Sequence, residues 1–224
     1  DLIILPEIWG CGFFAFDQYQ ENGEDIYGYT FSLFKKWALR LDCNILCGSF
    51  IEKRVDSYFN TSLFLSRKGE VYGQYRKIHL FGYESEERKI LTPGNEVTVI
   101  ETEFGKIGLS TCYDLRFPEQ YRKMVDQGAE ILLVVSAWPI ARLNHWRLFN
   151  QVRALENQSF LISCNCAGIQ RGTEFAGHSM VVNPAGEILF EVDEKPCVLW
   201  SNIDLSNVKK QRAIFPALND RVRL

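Results

Sequence analysis

Three side chains able to do acid–base or nucleophilic chemistry stand directly after runs that read as β-strands. Glu7 follows Leu2–Leu5, Lys77 follows Val71–Arg76, and Cys112 follows Lys106–Thr111. Strand ends that meet at one edge are where open α/β sheets build sites, because the loops there converge on a rigid frame. Taken singly, each residue also has a plainer reading. A Glu after a strand serves as a solvated or helix-capping acid, a Lys as a surface charge, and a Cys as a small buried hydrophobe. Cys112 has one local feature in its favour. It sits between a strand and a helix that starts near Pro118, and such a turn can expose a thiol while aiming backbone N–H groups and a helix dipole at it.

The elements that must position these residues are legible in outline. Leu2–Leu5, closed by Pro6, reads as a buried strand. Phe31, Phe34, Trp37, Ala38 and Leu41 recur at helical spacing and predict one helix over 28–41. Asn44–Ile51 and Thr61–Ser66 read as strands, and Arg67-Lys68-Gly69-Glu70 turns the chain back into Val71–Arg76. Val97–Glu101 and Lys106–Thr111 form a second pair about Phe104-Gly105. Pro118 opens a helix that Gly128 ends, Glu130–Trp138 reads as a strand covered on both faces, and His145–Gln158 as a helix. Phe160–Cys166, His178–Asn183, Ile188–Val192 and Val198–Ile203 complete the predicted strands. Many strands and few helices in mixed order imply sheets with helices on their outer faces. No internal repeat or Pro/Gly/Ser-rich linker interrupts residues 1–224, so a single domain is expected.

Composition narrows the function classes. Against 28 Asp+Glu the 25 Lys+Arg leave a net charge of −3, which gives no basic footprint and no reason to expect a nucleic-acid partner. Lys209-Lys210-Gln211-Arg212 reads as a solvated helix end. No apolar run approaches the roughly 20 residues of a membrane helix, so no membrane partner is expected. Seven cysteines are too few for a disulfide scaffold and odd in number, so free thiols in a reducing, cytoplasmic setting are expected. Cys43 with Cys47, and Cys164 with Cys166, suggest metal ligands on spacing alone, but His79, His145 and His178 are scattered and supply no zinc-type pattern. Those cysteines are read as core packing, those histidines as structural hydrogen-bonders, and no metal is expected.

Local sequence around the three reactive residues carries a further signal. Leu5-Pro6-Glu7, then Tyr75-Arg76-Lys77-Ile78-His79-Leu80-Phe81, then Ser110-Thr111-Cys112-Tyr113-Asp114-Leu115-Arg116-Phe117-Pro118-Glu119 closely resemble, in order and spacing, the three signature segments of the carbon–nitrogen hydrolase (nitrilase) superfamily. Ser136-Ala137-Trp138-Pro139, His145-Trp146, Arg153-Ala154-Leu155-Glu156-Asn157-Gln158 and Phe175-Ala176-Gly177-His178-Ser179 resemble its amidase branch, most of all bacterial ω-amidases. The resemblance covers essentially the whole chain.

What it implies is a Glu–Lys–Cys triad acting without a cofactor. Glu7 would be the general base, Lys77 the electrostatic partner and Cys112 the nucleophile. The types fit the chemistry: a thiol of pKa about 8.5 is little ionised at neutral pH and needs a base and a nearby cation. The backbone N–H of Tyr113 and Lys77 would hold the oxyanion, a donor of that kind contributing about 3–4 kcal/mol to lowering the barrier. Glu87, ten residues after Lys77, would hold the lysine and position the substrate. Glu84 and Glu86 offer a one-residue shift, and an acidic loop facing water is the competing reading. Trp138 would line the pocket, or else finish the core at a strand end. Arg116 and Glu119 are expected to form an ion pair bracing the Cys112 turn, with Arg116 as a clamp for a substrate carboxylate the alternative.

The implied reaction is hydrolysis of a small-molecule amide, an ω-amide of a 2-oxo acid. N-carbamoyl amide hydrolysis, or a non-catalytic binding protein on this fold, is the alternative. The implied architecture is an α/β four-layer α-β-β-α sandwich with two mixed β-sheets, paired as a homodimer through helix 145–158 and the stretch Val208–Leu224. The family domain opens with a strand and helix ahead of its Leu-Pro-Glu segment. Six residues precede Glu7 here, without an initial Met or basic leader, so the chain is expected to be N-terminally incomplete.

Overall fold

The computed structural model describes residues 1–222. In chain order the first half holds β1 (Leu2–Ile4), α1 (Tyr29–Leu41), β2 (Asn44–Leu46), β3 (Phe50–Lys53), β4 (Tyr58–Leu65), β5 (Val71–Arg76) and the single turn α2 (Glu87–Ile90). The second half holds β6 (Thr98–Thr102), β7 (Gly105–Thr111), α3 (Pro118–Asp126), β8 (Ile131–Ser136), α4 (Leu143–Asn157), β9 (Phe160–Asn165), β10 (Ala167–Gln170), β11 (Thr173–Ala176), β12 (Met180–Val182), β13 (Ile188–Glu191) and α5 (Ser206–Ile214).

Two mixed sheets form. In the first, β1 runs parallel to β2, and the long β4 pairs antiparallel with β2 and β3 along one edge and with β5 along the other. In the second, the order is β13-β12-β9-β8-β7-β6, with β7, β8 and β9 parallel and antiparallel strands outside them. Every residue of β8 is buried, as its unbroken apolar run requires of a central parallel strand.

Alternation along the strands sorts the core into layers. Leu46, Phe64 and Tyr75 of the first sheet meet Ile107, Leu109, Leu133 and Val135 of the second. The neighbours Leu132 and Val134 point the other way, against Tyr121 and Met124 of α3 and Trp146 and Ala154 of α4. Phe34 and Ala38 of α1 cover Ile45, Leu63 and Leu65 on the outside of the first sheet. The result is the four-layer α-β-β-α sandwich. Each such fully buried aliphatic side chain contributes about 1.5–3 kcal/mol, which fixes the strands and hence the loops at their ends.

Two local expectations are corrected and one element is added. Asn44–Ile51 is two strands, because Gly48 (φ +67°) packs against the loop before Glu7; a Cβ there would lie 2.2 Å from the Pro6 carbonyl oxygen. Val198–Ile203 pairs with no strand among the described residues, and Val198 and Trp200 are exposed. A hairpin that the sequence did not announce, β10–β11, follows β9. No helix among the described residues is long and apolar enough to cross a membrane. Of Val208–Leu224, residues 223 and 224 lie outside the described residues.

Candidate active site

Each reactive residue is delivered by a strand end and pinned by backbone. Glu7 follows β1, and its N–H reaches Ser136 O at the end of β8 (3.4 Å), so it sits where the two sheets meet. The next residue, Ile8, has φ +43° and donates its N–H to Ser49 Oγ at 3.0 Å. Lys77 follows β5, donates its N–H to Asn60 O of β4 (2.9 Å) and accepts at its carbonyl from the Gly94 N–H (2.8 Å).

Cys112 follows β7 directly and opens a 3-10 turn over Cys112–Arg116 with φ +49°, a left-handed conformation costing of order 1–3 kcal/mol. The Thr111-x-x-Asp114 pattern holds that turn. Asp114 Oδ2 accepts from the Thr111 N–H at 2.9 Å and from the Tyr75 hydroxyl at 2.5 Å. Its Oδ1 accepts from the His79 N–H at 2.9 Å and lies 2.8 Å from His79 Nδ1.

The side chains converge in a buried cluster. Lys77 Nζ donates to Glu7 Oε1 (2.9 Å) and to both oxygens of Glu87 (2.9 Å each), and all three side chains have no solvent exposure. Asn60 Nδ2 donates to Glu7 Oε1 at 2.8 Å and to Glu87 Oε1 at 3.0 Å. The Phe81 N–H adds a bond to Glu87 Oε2 at 2.7 Å. Glu7 Oε2 has no hydrogen-bond partner among the described residues, which leaves a buried oxygen able to take a proton. Glu84 and Glu86 are exposed, so the acidic-loop reading applies to them and not to Glu87.

Burial pushes the Glu7 carboxyl above the usual carboxylate range; Lys77 opposes this and Glu87 reinforces it. Burial pulls against the Lys77 ammonium, but Glu7 and Glu87 together overcome it and hold the proton on nitrogen well past the ordinary lysine range. Burial, then the Glu7 charge, pushes the Cys112 thiol well up, against the pull of Lys77 and of the Ala137 N–H. The resting sulfur is therefore a thiol beside a carboxyl of raised basicity, an arrangement suited to transferring the proton as the sulfur attacks.

Cys112 opens onto a cavity of about 240 Å³ walled by Phe13, Phe81, Tyr113, Arg116, Trp138 and Arg142 among others. Tyr113 stands edge-on to Phe81 and Phe117. Trp138 is buried, and its indole N–H donates to Cys112 O at 3.3 Å, so it both lines the cavity and ties down the turn. The expected Arg116–Glu119 ion pair does not form: the Arg116 guanidinium lies over the Trp138 and Phe149 rings, on the cavity wall, and Glu119 is exposed. The histidines make structural bonds, His79 to Asp114 and His178 to Glu191. Asn60, Asp114 and Arg142 carry roles here that the sequence reading does not single out. The capping pattern at Thr111-x-x-Asp114 could have disclosed Asp114. Asn60 stands just ahead of an expected strand, and Arg142 in a loop with no local signature.

The chain belongs to the carbon-nitrogen hydrolase family, whose family model matches residues 1–213. Within it the chain is an amidase-type member. A 2-oxoglutaramate amidase of Paenarthrobacter nicotinovorans is 35% identical over 229 residues, spanning 99% of this chain and 78% of the relative. A CN-hydrolase superfamily protein of Xanthomonas campestris, solved with an arsenic adduct in its active site, superposes with a TM-score of 0.93 at 30% identity, covering 100% of this chain and 85% of that one. An amidase variant from Nesterenkonia sp. AN1, solved with the acetamide moiety of fluoroacetamide added covalently at its active site cysteine, has a TM-score of 0.84 at 25% identity, covering 97% and 82%.

Proposed function

We propose that this chain hydrolyses the terminal amide of a small ω-amide of a 2-oxo acid through a thioester on Cys112. The observation that carries the reading is the buried contact of Lys77 with Glu7 and Glu87 behind a thiol that opens on a cavity of about 240 Å³. The name of the Paenarthrobacter relative supports the substrate class, and the covalent adduct of the Nesterenkonia amidase supports attack by sulfur.

Glu7 takes the thiol proton as Cys112 Sγ bonds to the amide carbon. The oxyanion that forms is met by the Lys77 ammonium and the Tyr113 N–H. On collapse the carbon–nitrogen bond breaks, and Glu7 gives its proton to the departing nitrogen, which leaves as ammonia. Water then enters, Glu7 removes its proton as the water oxygen bonds to the acyl carbon, the carbon–sulfur bond breaks on collapse, and Glu7 returns the proton to sulfur as the carboxylic acid leaves. Amide plus water becomes acid plus ammonia, with no oxidant, metal or organic cofactor in the balance. Glu87 and Asn60 hold Lys77 and Glu7 in register throughout.

The test is ammonia release from 2-oxoglutaramate, set beside a panel of simple amides and N-carbamoyl compounds. Cys112→Ala should abolish release while leaving the far-ultraviolet circular dichroism unchanged. Mass spectrometry of quenched wild-type enzyme should find an acyl group on Cys112. Turnover that survives in Cys112→Ala ends the reading, and preference for the carbamoyl compounds moves it to that class.

A further inference from the structure

The cavity beside Cys112 contains two guanidinium groups that no carboxylate answers. Arg116 closes the turn that starts at Cys112, and Arg142 closes a 3-10 turn, Ile140–Arg142, between β8 and α4. Both line the cavity and both are half-buried. Among the described residues neither belongs to an ion pair.

Each charge rests on aromatic faces instead. Arg116 Cζ is 4.8 Å from the Trp138 ring centre and 5.1 Å from that of Phe149. Arg142 Cζ is 5.9 Å from Phe81 and 5.6 Å from Tyr83. Rings orient a guanidinium plane but leave its N–H fork unsatisfied. Arg116 Nη2 also lies 3.4 Å from His145 Nδ1, which is no counter-charge. Glu84, the acid on the same wall, is exposed and pairs with neither arginine. Burial and the neighbouring Arg142 both draw the Arg116 guanidinium below its usual range, the mark of two like charges facing one space. Such a pair is relieved by an anion, and a planar carboxylate matches the forked donors.

We infer that Arg116 and Arg142 form a clamp for the substrate's carboxylate, with Arg142 selecting ω-amides that carry a carboxylate at the end remote from the scissile bond. The clamp rests on the amidase reading above and says which part of the cavity reads the acid. Thiol and clamp share one small cavity, so the selected substrates are short dicarboxylic monoamides.

The experiment compares kcat/KM for glutaramate and pentanamide in wild type and Arg142→Gln. The glutaramate-to-pentanamide ratio should fall between tenfold and a hundredfold, mainly through KM, the loss expected of one charge-assisted interaction. Arg142→Lys should recover part of the ratio. An unchanged ratio overturns the clamp. A second arm needs neither turnover nor a folded variant: glutarate titrated into wild-type protein should alter tryptophan fluorescence saturably, through Trp138, and 1,5-pentanediol should not. Absence of that saturable response also overturns the clamp. Turnover persisting in Cys112→Ala would instead sink the thioester reading and leave the glutarate result standing.

Discussion

The backbone N–H of His79 is bound to Asp114 Oδ1 at 2.9 Å, which fastens the strand end carrying Lys77 to the turn carrying Cys112. The same carboxylate holds the Thr111 N–H and the Tyr75 hydroxyl, so one buried acid keeps two sheets' strand ends in register. His79 stacks flat on Phe117 at 3.8 Å, which closes the arrangement from outside.

Asp114→Asn should therefore reduce kcat more than KM while Lys77, Glu7 and Cys112 are all intact. The variant replaces an acceptor oxygen with an N–H₂ facing donors, at a cost of about 1.5–3 kcal/mol per bond to a charged group. Steady-state kinetics and thermal unfolding check both halves. A variant with wild-type kcat would show that the fastening is not needed for positioning.

With Glu7 as the proposed general base, the acid limb of the pH–rate profile follows from its carboxyl. Burial raises its pKa, and a general base must be ionised, so kcat/KM should rise with pH through a value above the ordinary Glu pKa of about 4.3. The measurement is kcat/KM against pH in the folded range. A limb at or below the ordinary value would contradict the burial argument.

Glu7 and Glu87 touch the same ammonium but should respond oppositely to neutralisation. A raised carboxylate pKa in the folded state gives stability that is present below the unfolded pKa and lost as pH rises through the folded one. Glu7→Gln removes that loss, so at neutral pH it should equal or exceed wild type in Tm, while its activity disappears. The gain should shrink as pH falls toward 4. Glu87→Gln instead takes one carboxylate from Lys77 and an acceptor from the Phe81 N–H, and removing one partner of a buried pair costs about 3–5 kcal/mol. Tm measured against pH for both variants separates the two roles.

For the homodimer that the family resemblance implies, we propose a surface on α4. Leu148, Val152 and Leu155 form an exposed apolar stripe on α4 at helical spacing, and Leu189 and Phe190 of β13 are also exposed. A second copy seated there should be disrupted by Leu148→Glu with Leu155→Glu. Sedimentation velocity should then find wild type as a dimer and the double variant as a monomer. A monomeric wild type removes this proposal.

The sequence by itself determined a good deal of this. Glu7, Lys77 and Cys112 were legible as candidates because each stands at a strand end inside a local segment that resembles the family's signatures. The strands were legible because alternation and turn residues are local properties: the hairpin about Arg67-Lys68-Gly69-Glu70 and the fully buried β8 needed no long-range information, whereas their division into two sheets was implied by the family resemblance alone. Glu87 was reachable through the family resemblance, but only the fold distinguishes it from Glu84 and Glu86, because burial against the ammonium is a tertiary fact. Asn60, which joins two acids 53 and 27 residues away, has no signature in its own neighbourhood. Arg116 looked like half of an ion pair with Glu119, and its stacking beside Arg142 depends on how the Cys112 turn meets the start of α4. Residue types and spacing are fixed along the chain. Exposure, pairing of charges and the wall that each side chain faces are set by strands brought together from distant positions, and only the folded arrangement decides them.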